Sequence, residues 1–243
     1  MSVEFTIDGV SITAREGQSV VEAAAEHGVF VPTLCFNPER DPLGTCRVCS
    51  VRLNGHVVAG CTVPVRDGIE VEVEAPDLAV MRRQVVELLF VEGVHNCPSC
   101  EKSGRCRLQS AGYEVGMQAA EFPYRYPTRE AEHRPRDLWL ERDRCILCHR
   151  CVEYVRDRRT GQKIFSMSGR GEGARIEVDV ELADAMPPDQ VDEAVGICPV
   201  GAILHKAVGY DEPIGARHYD RIPLRERVLG DVPLERTPGE ATS

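Results

Sequence analysis

The clearest pattern in the chain is a strict alternation, with Ile69, Val71 and Val73 separated by Glu70, Glu72 and Glu74. That is the period of a strand with one buried face. Upstream, residues 3–7 and 10–13 flank Asp8-Gly9, and residues 48–53 and 56–59 flank Asn54-Gly55. Both dipeptides favour the left-handed backbone of a two-residue hairpin turn. Between the hairpins, Ser19 is a candidate N-cap for a helix carrying Val20, Val21, Ala23, Ala24 and Ala25, and Gly28 is its natural stop. Two hairpins, one helix and a closing strand predict a β-grasp-like domain over residues 1–76.

The period then changes. Pro76-Asp77 opens a helix running to about Glu92, with Leu78, Met81, Val85, Leu88 and Leu89 at helical spacing and Asp77 able to cap it. It delivers the chain to His95, so residues 77–120 read as a helical segment. Residues 121–136, rich in Pro, Arg and Glu, read as a linker. Residues 137–206 form a further unit, in which a helix over 189–197 leads into Cys198-Pro199. Residues 207–243 read as an extended, charged tail. The glycine-rich stretch 168–173 lacks GxGxxG spacing within a βαβ unit and reads as a flexible turn. The expected class is α+β.

Composition narrows the function. With 42% hydrophobic but only 5% aromatic residues, packing must be largely aliphatic, and metal coordination can supply what large side chains do not. A formal charge of −10 argues against nucleic acid, which needs clustered Lys and Arg. The opening residues 1–8 lack the basic and apolar regions of a signal peptide, and the best apolar stretch, 85–94, is broken by Glu87 and Glu92. The expectation is a cytoplasmic protein without membrane insertion. In a reducing compartment, CxxC spacings point to metal rather than disulfide.

Eleven cysteines and one histidine sort into three groups of four. Cys35, Cys46, Cys49 and Cys61 frame a single CxxC loop, with Gly44 and Gly60 nearby to let backbone N–H groups approach inorganic sulfide. We assign them a [2Fe–2S] cluster; structural thiols or zinc are the alternatives. Cys97, Cys100 and Cys106 are three corners of a second site, with His95 as the fourth. A single histidine near cysteines is more often a bystander. Ligation is favoured because the group is otherwise one ligand short, His95 lies two residues before Cys97, and no cysteine is spare. Cys145, Cys148 and Cys151 with the remote Cys198-Pro199 make the CxxCxxC…CP arrangement of a [4Fe–4S] cluster. His149, inside that loop, reads as a bystander. Arg47, Arg105, Arg107, Arg144 and Arg150 lie beside these ligands, either raising reduction potentials or serving as surface charge. There is no P-loop and no nucleophile with a base, hence no catalytic residue to name and no substrate pocket. The chain reads as an electron carrier, with a zinc-stapled interaction module as the rival from another class.

The segment from Cys97 to Gln109, the ten-residue gap after Cys35, and the CxxCxxC…CP pattern together resemble the diaphorase electron-transfer (gamma) subunit of soluble, bidirectional NAD-reducing [NiFe] hydrogenases. Residues 209–219 are similar to that subunit's tail. The iron–sulfur region of the large respiratory complex I subunit is related, but it places three residues between its histidine and first cysteine, where this chain has one. Those relatives, like some NAD-linked formate dehydrogenases, usually continue into a large domain of the molybdenum-enzyme type. Here 45 residues follow Cys198, which favours the free-standing hydrogenase subunit. The resemblance implies one [2Fe–2S] and two [4Fe–4S] clusters, one held by His and three Cys and one by four Cys. It implies a flavoprotein partner that carries FMN and NAD, and hydrogenase small and large subunits. The [2Fe–2S] domain would face the flavoprotein, the Cys145 cluster would lie mid-route, and the His95 cluster would face the hydrogenase. The equivalent relay of a formate dehydrogenase or respiratory NADH dehydrogenase is the alternative within the same chemistry.

Overall fold

The computed structural model describes residues 2–210, 212–222 and 225–226. Strands β1 (Ser2–Ile7) and β2 (Val10–Arg15) pair across the Asp8-Gly9 turn, burying Val3, Phe5, Ile7, Ile12 and Ala14 on one face. Helix α1 (Val20–Glu26) crosses that face with Val20, Val21, Ala23 and Ala24 buried. Ser19 and Glu22 form a capping box at its start. Strands β3 (Ser50–Leu53) and β4 (His56–Ala59) make the second hairpin. The closing strand β5 (Glu70–Glu72) inserts parallel to β1 and antiparallel to β3, giving sheet order β2-β1-β5-β3-β4.

β5 is shorter than its alternation implies, for a local reason. The Val73 N–H donates to the Asp8 carboxylate at 2.8 Å and Glu74 N–H to the same group at 3.2 Å, so these amides cap the first hairpin instead of extending a ladder.

Helix α2 (Pro76–Val91) begins with Ala75 as N-cap and Pro76 in the first turn, not with Asp77, whose carboxylate pairs with Arg52. Pro76 suits this place because its missing N–H would have no helical partner. The buried face also differs from the apolar stripe. Leu88 is exposed, whereas Arg82 and Glu87 are buried beside Leu78, Val86 and Phe90. Arg82 donates to the carbonyls of Ser50 (2.9 Å) and Val73 (2.8 Å), and Glu87 accepts the N–H groups of Glu121 and Phe122. The helix turns toward backbone groups that would otherwise be unpaired.

The stretch read as a linker is fastened along its length. Arg125 N–H reaches the Val91 carbonyl at 2.9 Å, Arg129 N–H the Asp143 carboxylate at 2.6 Å, and Glu132 pairs with Leu140. Beyond α3 (Arg107–Glu114), strand β6 (Leu138–Leu140) pairs with the late strand β9 (Ile203–His205). Helix α4 (Arg150–Tyr154) precedes a ribbon of β7 (Phe165–Ser168) and β8 (Arg175–Val178). The glycine-rich stretch is the turn of that ribbon and contains a short 3-10 helix, Gly171–Gly173. Helices α5 (Val180–Asp184) and α6 (Pro188–Ile197) complete the unit. Arg142 is buried at its centre, donating to the carbonyls of Ile176 (2.8 Å) and Glu130 (2.6 Å).

The described part of the tail is not extended. It forms helix α7 (His218–Arg221) and folds back: Tyr219 N–H donates to Gly104 O at 2.7 Å, and Arg217 reaches Ser103 O at 3.2 Å. A side chain at Gly104 would strike Arg217 at 2.5 Å, so this return needs a glycine. Arg225 pairs with Glu114 and lies over the Phe30 ring, 4.7 Å from its centre. Residues 227–243 lie outside the described residues.

Candidate metal centres

The first group is assembled by the sheet. Cys49 enters β3, Cys61 leaves β4 in a 3-10 turn, and Cys35 and Cys46 come from the long loop between α1 and β3; all four are buried. Cys35 N–H points at Cys46 Sγ at 3.5 Å. The sulfurs touch one another: hydrogen bonds from Cys46 and Cys61 pull the Cys35 thiol down from its ordinary value, and one from Cys61 lowers Cys49. The donors Cys46 and Cys61 are pushed up in return. Arg47, inside the CxxC loop, holds a left-handed φ of 59°. Such a residue re-aims successive N–H groups into an anion-binding concavity.

In the second group, Cys97 opens a 3-10 turn, Cys100 closes it, and Cys106 is the N-cap of α3 with Gln109 N–H 3.5 Å from its sulfur. Burial pushes the Cys106 thiol up to about 12, with the neighbouring Cys100 and Cys97 thiols adding to the rise. His95 lies edge-on to Phe90, with ring centres 5.5 Å apart. Its Nε2 is enclosed and has no hydrogen-bond partner. Gly93 makes room for it, since a Cβ there would lie 2.4 Å from that nitrogen. Burial draws the imidazole down to about 4, so it is neutral at pH 7, the form that ligates metal.

The third group lines one enclosed space. Cys145, Cys148, Cys151 and Cys198 face it together with apolar residues such as Leu140, Ile176 and Val200, and His149 borders it. Leu147 (φ 50°) and His149 (φ 65°) are both left-handed, and Leu147 N–H reaches Cys145 Sγ at 3.4 Å. Burial lifts Cys145 to about 11 and Cys148 and Cys151 further. Cys145, Cys148 and Cys151, pressed together out of water, resist ionisation until a cation compensates them, which is the chemistry of a thiolate-held metal centre. These donor sets, soft and enclosed with one unpartnered imidazole nitrogen, fit iron–sulfur clusters. Among the described residues, no three His, Cys, Asp or Glu side chains have the arrangement of a site for one ion.

The groups adjoin. Thr45 Oγ1 donates to Cys148 O at 3.0 Å, joining the first loop to the third. A Cβ at Gly201 would lie 2.7 Å from Cys100 Sγ, and Arg107 N–H bonds Pro199 O at 2.8 Å, so the loop after Cys198 touches the second. The third group thus touches both of the others. The sequence marks Thr45 only as a small residue before the CxxC, and sequence reading does not single out Gly201 or the left-handed Leu147. Gly201 carried a signal, a glycine shortly after Cys-Pro; a left-handed leucine carries none.

Taken together, a β-grasp unit with four converging thiols and a second unit with CxxCxxC…CP place the chain among ferredoxin-type iron–sulfur proteins. Three family descriptions match it in turn: a 2Fe-2S iron-sulfur cluster binding domain over residues 1–76, the NADH-ubiquinone oxidoreductase-G iron-sulfur binding region over 82–121, and the ferredoxin-like domain of NADH-quinone oxidoreductase subunit 3 over 138–204. More narrowly, it belongs to the gamma-subunit family of NAD-reducing hydrogenases. It is 59% identical to the HoxS gamma subunit of NAD-reducing hydrogenase from Cupriavidus necator, over 94% of this chain and 98% of that one. A chain of the crystal structure of NAD+-reducing [NiFe]-hydrogenase in the H2-reduced state superposes with a TM-score of 0.84 at 41% identity, covering 93% of this chain and 96% of that chain. The alpha subunit of NADPH-Fe(3+) oxidoreductase from Geobacter sulfurreducens is 32% identical over 84% of this chain, which corresponds to 24% of its own length. The hydrogenase resemblance and the α+β class read from the sequence thus hold. Among the described residues, no helix is long and apolar enough to cross a membrane.

Proposed function

We propose that this chain is the electron-relay subunit of an NAD-reducing [NiFe] hydrogenase in the cytoplasm, passing electrons between the hydrogenase small and large subunits and an FMN- and NAD-binding flavoprotein. Cys35, Cys46, Cys49 and Cys61 would hold a [2Fe–2S] cluster. Cys145, Cys148, Cys151 and Cys198 would hold one [4Fe–4S] cluster, and His95, Cys97, Cys100 and Cys106 a second. The observation that carries the reading is the adjacency of the three groups, with Thr45–Cys148 joining the first to the third and Gly201–Cys100 the third to the second.

Bound clusters supply one-electron chemistry, which a flavin exchanging hydride on one side can feed or drain singly. The protein's own part is to enclose the thiols, to aim backbone N–H groups at sulfur, and to bring the three loops into contact. A neutral His95 in place of a fourth thiolate leaves its site less negative and its potential higher.

The test is iron and sulfide analysis of anaerobically purified protein, with EPR of the reduced sample. About ten irons, with one binuclear and two cubane signals, are expected. Zinc with little iron in a colourless protein would overturn the reading.

A further inference from the structure

Two arginines meet where the first and third groups adjoin. Arg107 follows Cys106 at the start of α3, and Arg150 lies between Cys148 and Cys151. They converge on one short segment just before Cys35: Arg107 donates to Thr33 Oγ1 at 3.1 Å, and Arg150 reaches Leu34 O at 3.5 Å. Arg150 is buried and Arg107 half-buried, and the Nε of each is enclosed without a hydrogen-bond partner. Both line a cavity of about 210 Å³ that also reaches Cys198 and Pro199.

Among the described residues, no ion pair joins either of them to a carboxylate. Arg105 by contrast is matched by Glu212, and Arg144 by Glu101. Two like charges withdrawn from water repel each other and cost free energy unless an anion compensates them. Guanidinium cannot shed its charge to escape. The groups that can carry negative charge beside Arg107 are the Tyr219 hydroxyl, which lines the same cavity, and then the thiols of Cys46 and Cys148, one from each adjoining group; Arg150 faces Cys148.

We infer that Arg107 and Arg150 form a shared countercharge for the centres held by Cys46 and Cys148, setting both reduction potentials upward and keeping the two steps of the relay matched. This rests on the cluster assignment above. Each added electron increases the negative charge beside the same two cations, so both centres gain from them.

The experiment is a redox titration followed by EPR on the full chain, with iron counted in each sample. Arg107→Gln and Arg150→Gln should each lower the potentials of the binuclear centre and the Cys145 cubane, by about tenfold in the reduction equilibrium, or 59 mV for one electron. Arg107→Lys should restore most of the shift by keeping the charge, and Arg105→Gln, removing a cation already paired, should move them little. Thr33→Asp, which sets a carboxylate beside Arg107 while leaving the arginine in place, should reproduce the fall if a Gln variant does not fold. Full iron content with unmoved potentials in the Gln variants and Thr33→Asp would overturn the countercharge, as would an equal fall in Arg107→Lys. Wild-type protein without iron would instead overturn the cluster assignment itself.

Discussion

The two hydrophobic cores of the molecule use cysteine differently. The core under the five-stranded sheet is built from Val3, Phe5, Ile7, Val20, Val51 and Val71, with Cys49 and Cys61 fully buried among them. Its strands run up to six residues, and its backbone groups are paired within the sheet. The other core draws on six cysteines as members, Cys35 and Cys46 from the first group and Cys106, Cys148, Cys151 and Cys198, with Cys97 and Cys145 packed against it. Its strands are three or four residues long and lie in two separate two-stranded ribbons. Ribbons of that size are marginal by themselves. In the first region the fold makes the ligand site. In the second, the proposed ligands would make a large part of the fold, because ordering such loops costs conformational entropy that little else offsets.

The largest effect that separates the regions is metal removal. Stripping iron from the protein should abolish amide-exchange protection around residues 97–110 and 145–205, while the sheet from β1 to β5 keeps most of its protection. Equal loss in both regions would break the contrast. A narrower version replaces one ligand. Cys148→Ala should remove about four irons, one cubane, and loosen α4 and the β6–β9 pair, leaving the binuclear signal in place. Unchanged iron would remove this residue from the ligand set.

The same division explains what the sequence made legible. The N-terminal sheet was readable because β1, β2 and β5 each have one buried face, and Asp8-Gly9 and Asn54-Gly55 mark its turns. The ribbons β6–β9 and β7–β8 were not, since strands so short carry no period to detect, and β6 and β9 are far apart in the chain. The stripe on α2 misled for another reason: Arg82 and Glu87 are buried by hydrogen bonds to distant backbone, which hydropathy cannot register. In the candidate centres, ligand types and spacing were explicit in the sequence. The contacts between groups, through Thr45 and Gly201, depend on tertiary placement alone.

A smaller effect distinguishes the regions by pH. Glu132 is buried in the second region and accepts Arg134 at 2.8 and 2.6 Å, with Arg142 at 3.8 Å. The Arg134 hydrogen bonds hold its carboxyl down at about 2. A carboxylate with a depressed native pKa stabilises the fold above its unfolded value, roughly 4.3, and that contribution fades as pH falls toward 2. Acid should therefore loosen the strap at Glu132–Leu140 before it loosens the sheet. Glu132→Gln should be less stable than wild type at pH 7 and should flatten this acid limb. A wild-type acid limb in Glu132→Gln would assign the acid sensitivity to other carboxylates.

The smallest effect lies in the first region and tests its independence. Ser19 Oγ accepts the Glu22 N–H at 3.3 Å, and Glu22 accepts the Ser19 N–H at 2.9 Å, closing the cap of α1. Ser19→Ala should cost about 1 kcal/mol, read as a shift in the denaturation midpoint of the N-terminal unit. Because α1 packs on the turn that carries Cys61, the variant also asks whether the sheet alone positions that thiol. If the sheet does, the binuclear signal and iron content stay at wild-type level while stability falls. Loss of the binuclear centre from so small a perturbation would show that this region, too, leans on its metal, and the contrast between the two cores would become one of degree.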